Sequence, residues 1–128
     1  MATRFGPDWI VQNYIPKVNE AYNADKQPFN YRMSALDSLS AVMDQLREDH
    51  VTEHVVPTLI KACGDKVPNV QFCSSKIIKL HRGKFDSGTL KDIIIPKLRE
   101  NMNDADKDVA HYAKIAAEDL WSVYNLLL

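Results

Sequence analysis

Three short segments that contain proline divide this chain into units of similar length. The prolines recur about every 40 residues, in the triplets Ile15-Pro16-Lys17, Val56-Pro57-Thr58 and Ile95-Pro96-Lys97. In each unit a polar break follows the proline, and a second helix-like apolar pattern follows the break. A repeat of this length with two helices per unit is typical of an α-solenoid, in which helix pairs stack on one another.

Apolar residues recur at helical rather than strand spacing in every unit. The predicted buried stripes include, in the first unit, Trp9, Ile15, Val18, Met33, Leu36 and Ala41; in the second, Val51, Val55, Leu59, Val70, Ile77 and Leu80; and in the third, Leu90, Ile93, Ile94, Leu98, Val109 and Leu120. We therefore predict an all-α HEAT-repeat solenoid of three stacked antiparallel helix pairs. It forms one domain, 1–128, with repeats of about 8–46, 50–83 and 88–125.

Polar residues between the stripes predict where the helices break and restart. Aspartates mark the break within each unit, at Asp25, Asp65 and Asp104. Asn69 and Asp108 stand just before an apolar stripe, so each is predicted to cap the second helix of its unit. Thr89, with Asp92 three residues later, resembles a capping box at the start of the third unit.

Composition excludes several classes of protein. The net charge is −1, which argues against a dedicated nucleic-acid binder. No run of 18 apolar residues is present, and the first nine residues lack the apolar core of a secretory signal. The two cysteines are typical of a reducing compartment, so we predict a cytoplasmic protein, with the nucleus as an alternative location and without a membrane partner.

No pattern of catalytic or metal-binding residues stands out. Cys-x-x-Cys and Gly-rich phosphate-binding patterns are missing. The carboxylates are predicted to lie at helix termini. We predict no catalytic residue, no metal site and no cofactor. One basic run, with Phe85 beside it, could contact nucleic acid, but its place at a helix C-terminus favours a structural role; its members are Lys76, Lys79, His81, Arg82 and Lys84.

Longer strings of the sequence resemble one family. These are Phe5-Gly6 with Trp9, Ile15-Pro16-Lys17-Val18, Tyr31-Arg32-Met33, Val56-Pro57-Thr58-Leu59, Gly64-Asp65-Lys66-Val67-Pro68-Asn69-Val70-Gln71-Phe72, Pro96-Lys97-Leu98 and Asp106-Lys107-Asp108-Val109-Ala110-His111-Tyr112-Ala113. Their order and spacing resemble the scaffold (A) subunits of protein phosphatase 2A, over nearly the whole chain and in the last three HEAT repeats. The resemblance implies a C-terminal piece of a longer scaffold.

The resemblance also implies a function without catalysis. In that family the turns inside the C-terminal repeats bind the phosphatase catalytic subunit, and regulatory subunits bind the full-length scaffold. By position, the partner-binding residues here are Phe29, Asn30, Tyr31, Arg32, Val67, Asn69, Gln71 and Asp108. Gln71 and Ala110 replace basic residues that are usual in the family, so a ladder of Asp–Arg pairs between repeats is reduced to Arg32. The alternative is a HEAT-like nucleic-acid-binding or DNA-repair module.

The first repeat is expected to leave apolar surface uncovered. A repeat buries its faces against its neighbours, and no repeat precedes this one in the sequence. The candidates for this surface are Phe5, Trp9, Met33 and Leu36. We expect self-association through it at high concentration.

Overall fold

The computed structural model describes residues 6–23 and 29–127, so Phe5 and Asp25 lie outside the described residues. The chain is 85% helical, and no strand occurs within the described ranges. The helices are α1 (Pro7–Trp9), π1 (Ile10–Tyr14), α2 (Ile15–Asn23), α3 (Phe29–Met43), α4 (Glu48–His50), π2 (Val51–Val55), α5 (Val56–Cys63), α6 (Pro68–Leu80), a 3₁₀ turn (Arg82–Lys84), α7 (Ser87–Thr89), π3 (Leu90–Ile94), α8 (Ile95–Asn101) and α9 (Lys107–Leu127).

The helices form three stacked pairs. The outer helices α2, α5 and α8 pack on the inner helices α3, α6 and α9, and the inner helices also pack on one another in the order α3, α6, α9. One continuous apolar cluster runs through all three pairs. The prediction of an all-α helical repeat is therefore confirmed.

Each of the three repeated prolines follows a π-helical turn. Ile15 N–H bonds to the carbonyl of Ile10, five residues earlier, and the next residue is Pro16. The same bond joins Val56 to Val51 and Ile95 to Leu90. Proline lacks an N–H and its ring clashes with a carbonyl of the preceding turn, and a wider turn accommodates both defects. The shared proline position thus produces a shared local geometry.

The π turns explain one wrong assignment in the predicted stripes. Regular spacing predicted that Ile93 is buried with Ile94, but Ile93 is 43% exposed. A π turn holds an additional residue, so the side chains within it and beyond it are rotated around the helix axis relative to regular spacing. Ile94 and Ile95 therefore face the core together, as Val55 and Val56 do in the preceding repeat.

Two further burial predictions are wrong. Ala41 was assigned to a buried stripe but is exposed, and Leu80 is 68% exposed at the last position of α6. Trp9, which was assigned both to a stripe and to the uncovered surface of the first repeat, is 43% exposed. Phe85, predicted to accompany the basic run, is buried. It follows the 3₁₀ turn at the end of the second repeat and joins the core instead of the surface.

Two aspartates outside the helices, Asp106 and Asp86, provide N-caps, and the three predicted caps are wrong. The Asp106 carboxylate accepts hydrogen bonds from the N–H groups of Asp108 (2.9 Å) and Val109 (3.1 Å). Asp108 is the second residue of α9 and is exposed. The helix begins earlier than the apolar stripe, so the capping residue stands two positions before the predicted one.

The other two predicted caps also lie inside their helices. At the third repeat Asp86, not Thr89, is the N-cap, and its carboxylate accepts from Thr89 N–H at 2.7 Å. At α6 the helix begins at Pro68 after Val67, which has no side-chain cap, so Asn69 lies inside the helix. Proline at the first helical position needs no partner for an N–H, which lessens the need for a cap.

Removing the true cap should cost more than removing a predicted one. We expect Asp106→Ala to lower the free energy of unfolding by about 1 kcal/mol, because two helix N–H groups lose their acceptor. Asn69→Ala is the matched control and should change it by less than about 0.5 kcal/mol. Urea titrations followed by circular dichroism measure both, and equal losses would contradict the assignment.

Candidate protein-binding site

The turns within the repeats lie along one side of the stack. We call this side the turn edge and define it by residues 29–32, 64–71 and 102–108. Contacts between neighbouring repeats bring these segments together: Lys61 donates to Asn23 near the ends of α5 and α2, and Asn101 donates to the Cys63 carbonyl at 2.8 Å. The turn edge is therefore one continuous surface over the part of the chain that the structure describes.

The carboxylate of Asp65 is the centre of this edge. Arg32 donates from Nε to Oδ2 at 2.8 Å and from a terminal nitrogen to Oδ1 at 3.0 Å. The Tyr22 hydroxyl donates to Oδ2 at 3.0 Å, and the Val67 N–H donates to Oδ1 at 2.9 Å. The two side chains of the ion pair are 21% and 8% exposed. This group of four residues, the Asp65 node, fixes the second turn against the first repeat.

The node changes the proton affinities of its members. Burial by itself would raise the pKa of Asp65, but bonds from Arg32, Val67 and Tyr22 outweigh it and hold the pKa below its usual value. For Tyr22, burial and then the bond to the Asp65 carboxylate raise the pKa. Asp65 is thus ionised and Tyr22 is neutral near pH 7.

The predicted binding residues differ in their accessibility. Tyr31 is 57% exposed, and Asn30, Asn69 and Asp108 are exposed as well. Val67 and Gln71 are half-buried. The backbone of Phe29 begins α3, but its side chain lies outside the described residues.

Arg32 forms the Asp–Arg pair between repeats that the resemblance implies for it. It was assigned to partner binding, yet its guanidinium holds Asp65 in the neighbouring repeat. An alanine substitution at this position therefore tests stability as well as binding. Substitution of an exposed residue beside it, above all Tyr31, tests partner binding without this effect on stability.

Between the second and third repeats, amide side chains stand where the family has an Asp–Arg pair. Gln71, in place of a basic residue, donates to the Cys63 carbonyl at 3.5 Å, the acceptor that Asn101 also uses. Asp104, one repeat after Asp65, accepts from the backbone of Asp106 at 2.8 Å. Neutral amides thus replace an ion pair at this position, in line with the smaller number of Asp–Arg pairs that the resemblance implies.

A Ser–His–Asp chain links the inner helices at the opposite edge. Ser40 Oγ lies 2.9 Å from His81 Nε2, and His81 Nδ1 lies 3.2 Å from Asp44 Oδ1. Ser40 is inside α3, where backbone N–H groups are used by the helix and cannot form an oxyanion hole. The arrangement ties α3 to the end of α6. Its signal was present in the sequence, because Ser40 and His81 lie one repeat length apart and so stack.

The outward face of the first repeat carries a shallow groove between α2 and α3. Its volume is about 340 Å³, and its lining includes Tyr14, Val18, Tyr31 and Ala35. Leu36, predicted to lie on the bare surface, is fully buried, whereas Trp9 is 43% exposed. The uncovered face therefore consists more of tyrosine and small residues than of large aliphatic ones.

Membrane-spanning and metal-binding features are both missing from the described residues. None of these helices combines the length and apolarity needed to cross a membrane. No group of three or more His, Cys, Asp or Glu side chains in the same residues is placed to hold a metal ion.

Loss of the Arg32 guanidinium should destabilise the fold in a manner that depends on pH. Arg32→Ala leaves a half-buried carboxylate with fewer donors, so we expect a loss of about 1–3 kcal/mol near pH 7. Arg32→Lys should recover part of it, because lysine cannot make the paired bonds. Lys66→Ala, on the same turn and exposed, is the control, with a change below about 0.5 kcal/mol.

The sign of the pH dependence follows from the lowered pKa of Asp65. Its contribution to stability is fully present above the unfolded-state pKa of about 3.9. It is lost as the pH falls through the lower folded-state pKa. The difference between wild type and Arg32→Ala, measured by urea unfolding, should therefore shrink below about pH 4. A difference that does not change with pH would contradict a role through the Asp65 charge.

Comparison with known proteins identifies a relative in yeast. The chain is 29% identical over 117 residues to the A-type regulatory subunit of protein phosphatase PP2A from Saccharomyces cerevisiae, a match that covers 86% of this chain and 18% of the relative. The chain thus spans about a fifth of that protein's length. No family model matches the chain. Together with the stacked helix pairs, the similarity supports a HEAT-repeat relationship.

Proposed function

We propose that this chain is a non-catalytic scaffold module that binds the catalytic subunit of a serine/threonine protein phosphatase of the 2A type. The observation that carries the proposal is the similarity, over 86% of the chain, to a protein named as a phosphatase regulatory subunit. The helix-pair repeat supports it, because stacks of this kind present extended binding surfaces. We further propose that the chain is a single domain equivalent to the C-terminal repeats of such a scaffold.

The turn edge is the proposed binding surface. Tyrosine is among the residues that most often dominate the energy of protein interfaces, and Tyr31 is 57% exposed there. Asn30 and Asn69 add exposed amides that can donate and accept. The Asp65 node fixes the turn between them, so a partner would meet a surface that is already ordered.

Other partners follow from the same proposal. Regulatory subunits would bind a longer scaffold that contains these repeats, in the cytoplasm or the nucleus. Self-association would use the groove between α2 and α3 on the first repeat. Nucleic-acid binding is less well supported, because Phe85 is buried and the net charge is −1.

The proposal is tested by titrating the chain with a purified 2A-type catalytic subunit. We expect Tyr31→Ala combined with Asn69→Ala to weaken binding by at least about tenfold. The melting temperature should not change, because both side chains are exposed.

The control combines Glu48→Ala and Asp49→Ala in α4, at the opposite edge. Both residues are exposed, and the ion pair of Asp49 with Arg47 is a surface pair of small value. This double variant should bind like wild type. If it abolishes binding while the turn variant binds normally, the turn edge is the wrong surface. If wild type does not bind, the proposed function is wrong.

A further inference from the structure

A second surface lies on the inner helices, away from the turn edge. A groove of about 310 Å³ runs between α6 and α9 beside the second half of α6. The two helices are parallel: the rings of Phe72 and Tyr112 lie 5.3 Å apart near their starts, and Arg82 lies 3.4 Å from Asp119 further along. The turn edge is at the start of these helices and the groove is further along them, so the groove is distinct from the proposed phosphatase surface.

The rim of this groove is positively charged. Lys76, Lys79 and Arg82 all line it. The Lys76 ammonium lies 4.4 Å from the centre of the Tyr112 ring, which holds it over the groove. Arg82 pairs with Asp119, but no ion pair among the described residues involves Lys76 or Lys79. Two ammonium groups thus face the groove without a carboxylate partner in the described ranges.

The floor of the groove is mostly apolar. Leu80 is 68% exposed, and half-buried Tyr112 and Ile115 lie opposite it on α9. Ser75 also lines the groove, but its hydroxyl is buried. A helix end that exposes a leucine beside two such cations is better explained by a ligand than by folding.

We propose that this groove binds an acidic segment of a partner protein, which inserts one apolar side chain between α6 and α9. Its carboxylates pair with Lys76 and Lys79, and its apolar side chain covers Leu80 and Ile115. Single-stranded nucleic acid fits less well, because bases need open aromatic faces to stack on and Lys76 covers both Phe72 and Tyr112. Charge and apolar floor together therefore specify an acidic, amphipathic peptide.

The test uses a fluorescent peptide of twelve glutamates and aspartates with one central leucine, titrated against the whole chain and followed by anisotropy. Lys76→Gln with Lys79→Gln, and separately Leu80→Ser, should each weaken binding by about tenfold. A peptide with alanine in place of the leucine should lose a similar factor. Raising the salt from about 0.01 M to 0.15 M should weaken binding further, because the Debye length shortens.

The matched control is Lys91→Gln with Lys107→Gln, which removes two exposed lysines away from the groove and gives the same net charge. It should change the affinity less than about twofold. Circular dichroism confirms that each variant is folded. The proposal is overturned if the control weakens binding as much as the groove variants, or if the peptide does not bind wild type. It is equally overturned if an oligothymidine binds as tightly and Leu80→Ser does not affect the peptide.

Discussion

Two aspartates accept hydrogen bonds both from their own repeat and from the preceding repeat. Asp65 holds its own turn by accepting from Val67 N–H, and it accepts from Arg32 in the preceding repeat. Asp86 caps its own repeat at Thr89 N–H, and it accepts from the Thr52 hydroxyl of the preceding repeat at 3.0 Å. A carboxylate that is partly removed from water needs several hydrogen-bond donors. Each of these two carboxylates receives one of its donors from the preceding repeat. In a linear stack such contacts between neighbours largely determine stability.

The prolines shape the outer layer by a different physical route. A proline inside a regular helix would cost about 3 kcal/mol, and each outer helix carries one. Proline cannot donate a backbone hydrogen bond, and the π turn before it widens the helix at that point. The π turn also rotates the apolar stripe around the helix axis. Val55 with Val56, and Ile94 with Ile95, then face the core as adjacent pairs. Since all three repeats share the feature, their outer helices keep one shape and can stack in register.

The architecture could be predicted from the sequence, whereas several details of the surface could not. The repeat length and the helical spacing of apolar residues were sufficient for an all-α stack of helix pairs. The exposure of Ile93 was not predicted, because regular spacing ignores the π turn. The exposure of Leu80 was not predicted either, because it is the last residue of α6. The cap predictions were wrong because the helices begin before their first buried residue. The capping residues Asp106 and Asp86 therefore lie earlier than predicted.

The sequence predicted a position for the candidate site, but it did not predict which of the site's side chains are exposed. The resemblance indicated the turn edge, and the assignment of Phe29, Tyr31 and the others to partner binding stays a prediction. The resemblance gave Arg32 two roles, in partner binding and in the Asp–Arg ladder. The structure shows the second, its ion pair with Asp65, and shows that Tyr31 beside it is exposed. Roles of this kind depend on distances between repeats, and spacing along one repeat does not contain them.

The inner helices carry different chemistry at their two ends, and the helix dipole accounts for part of the difference. Acceptors are favourable at a helix N-terminus and cations near a C-terminus, as Asp106 at the start of α9 and Lys79 near the end of α6 illustrate. The dipole explains why cations collect near the end of α6. It does not explain Leu80, whose exposure gains nothing from the dipole. The exposed leucine is therefore the observation that favours the proposed peptide-binding groove over a helix end that is merely charged.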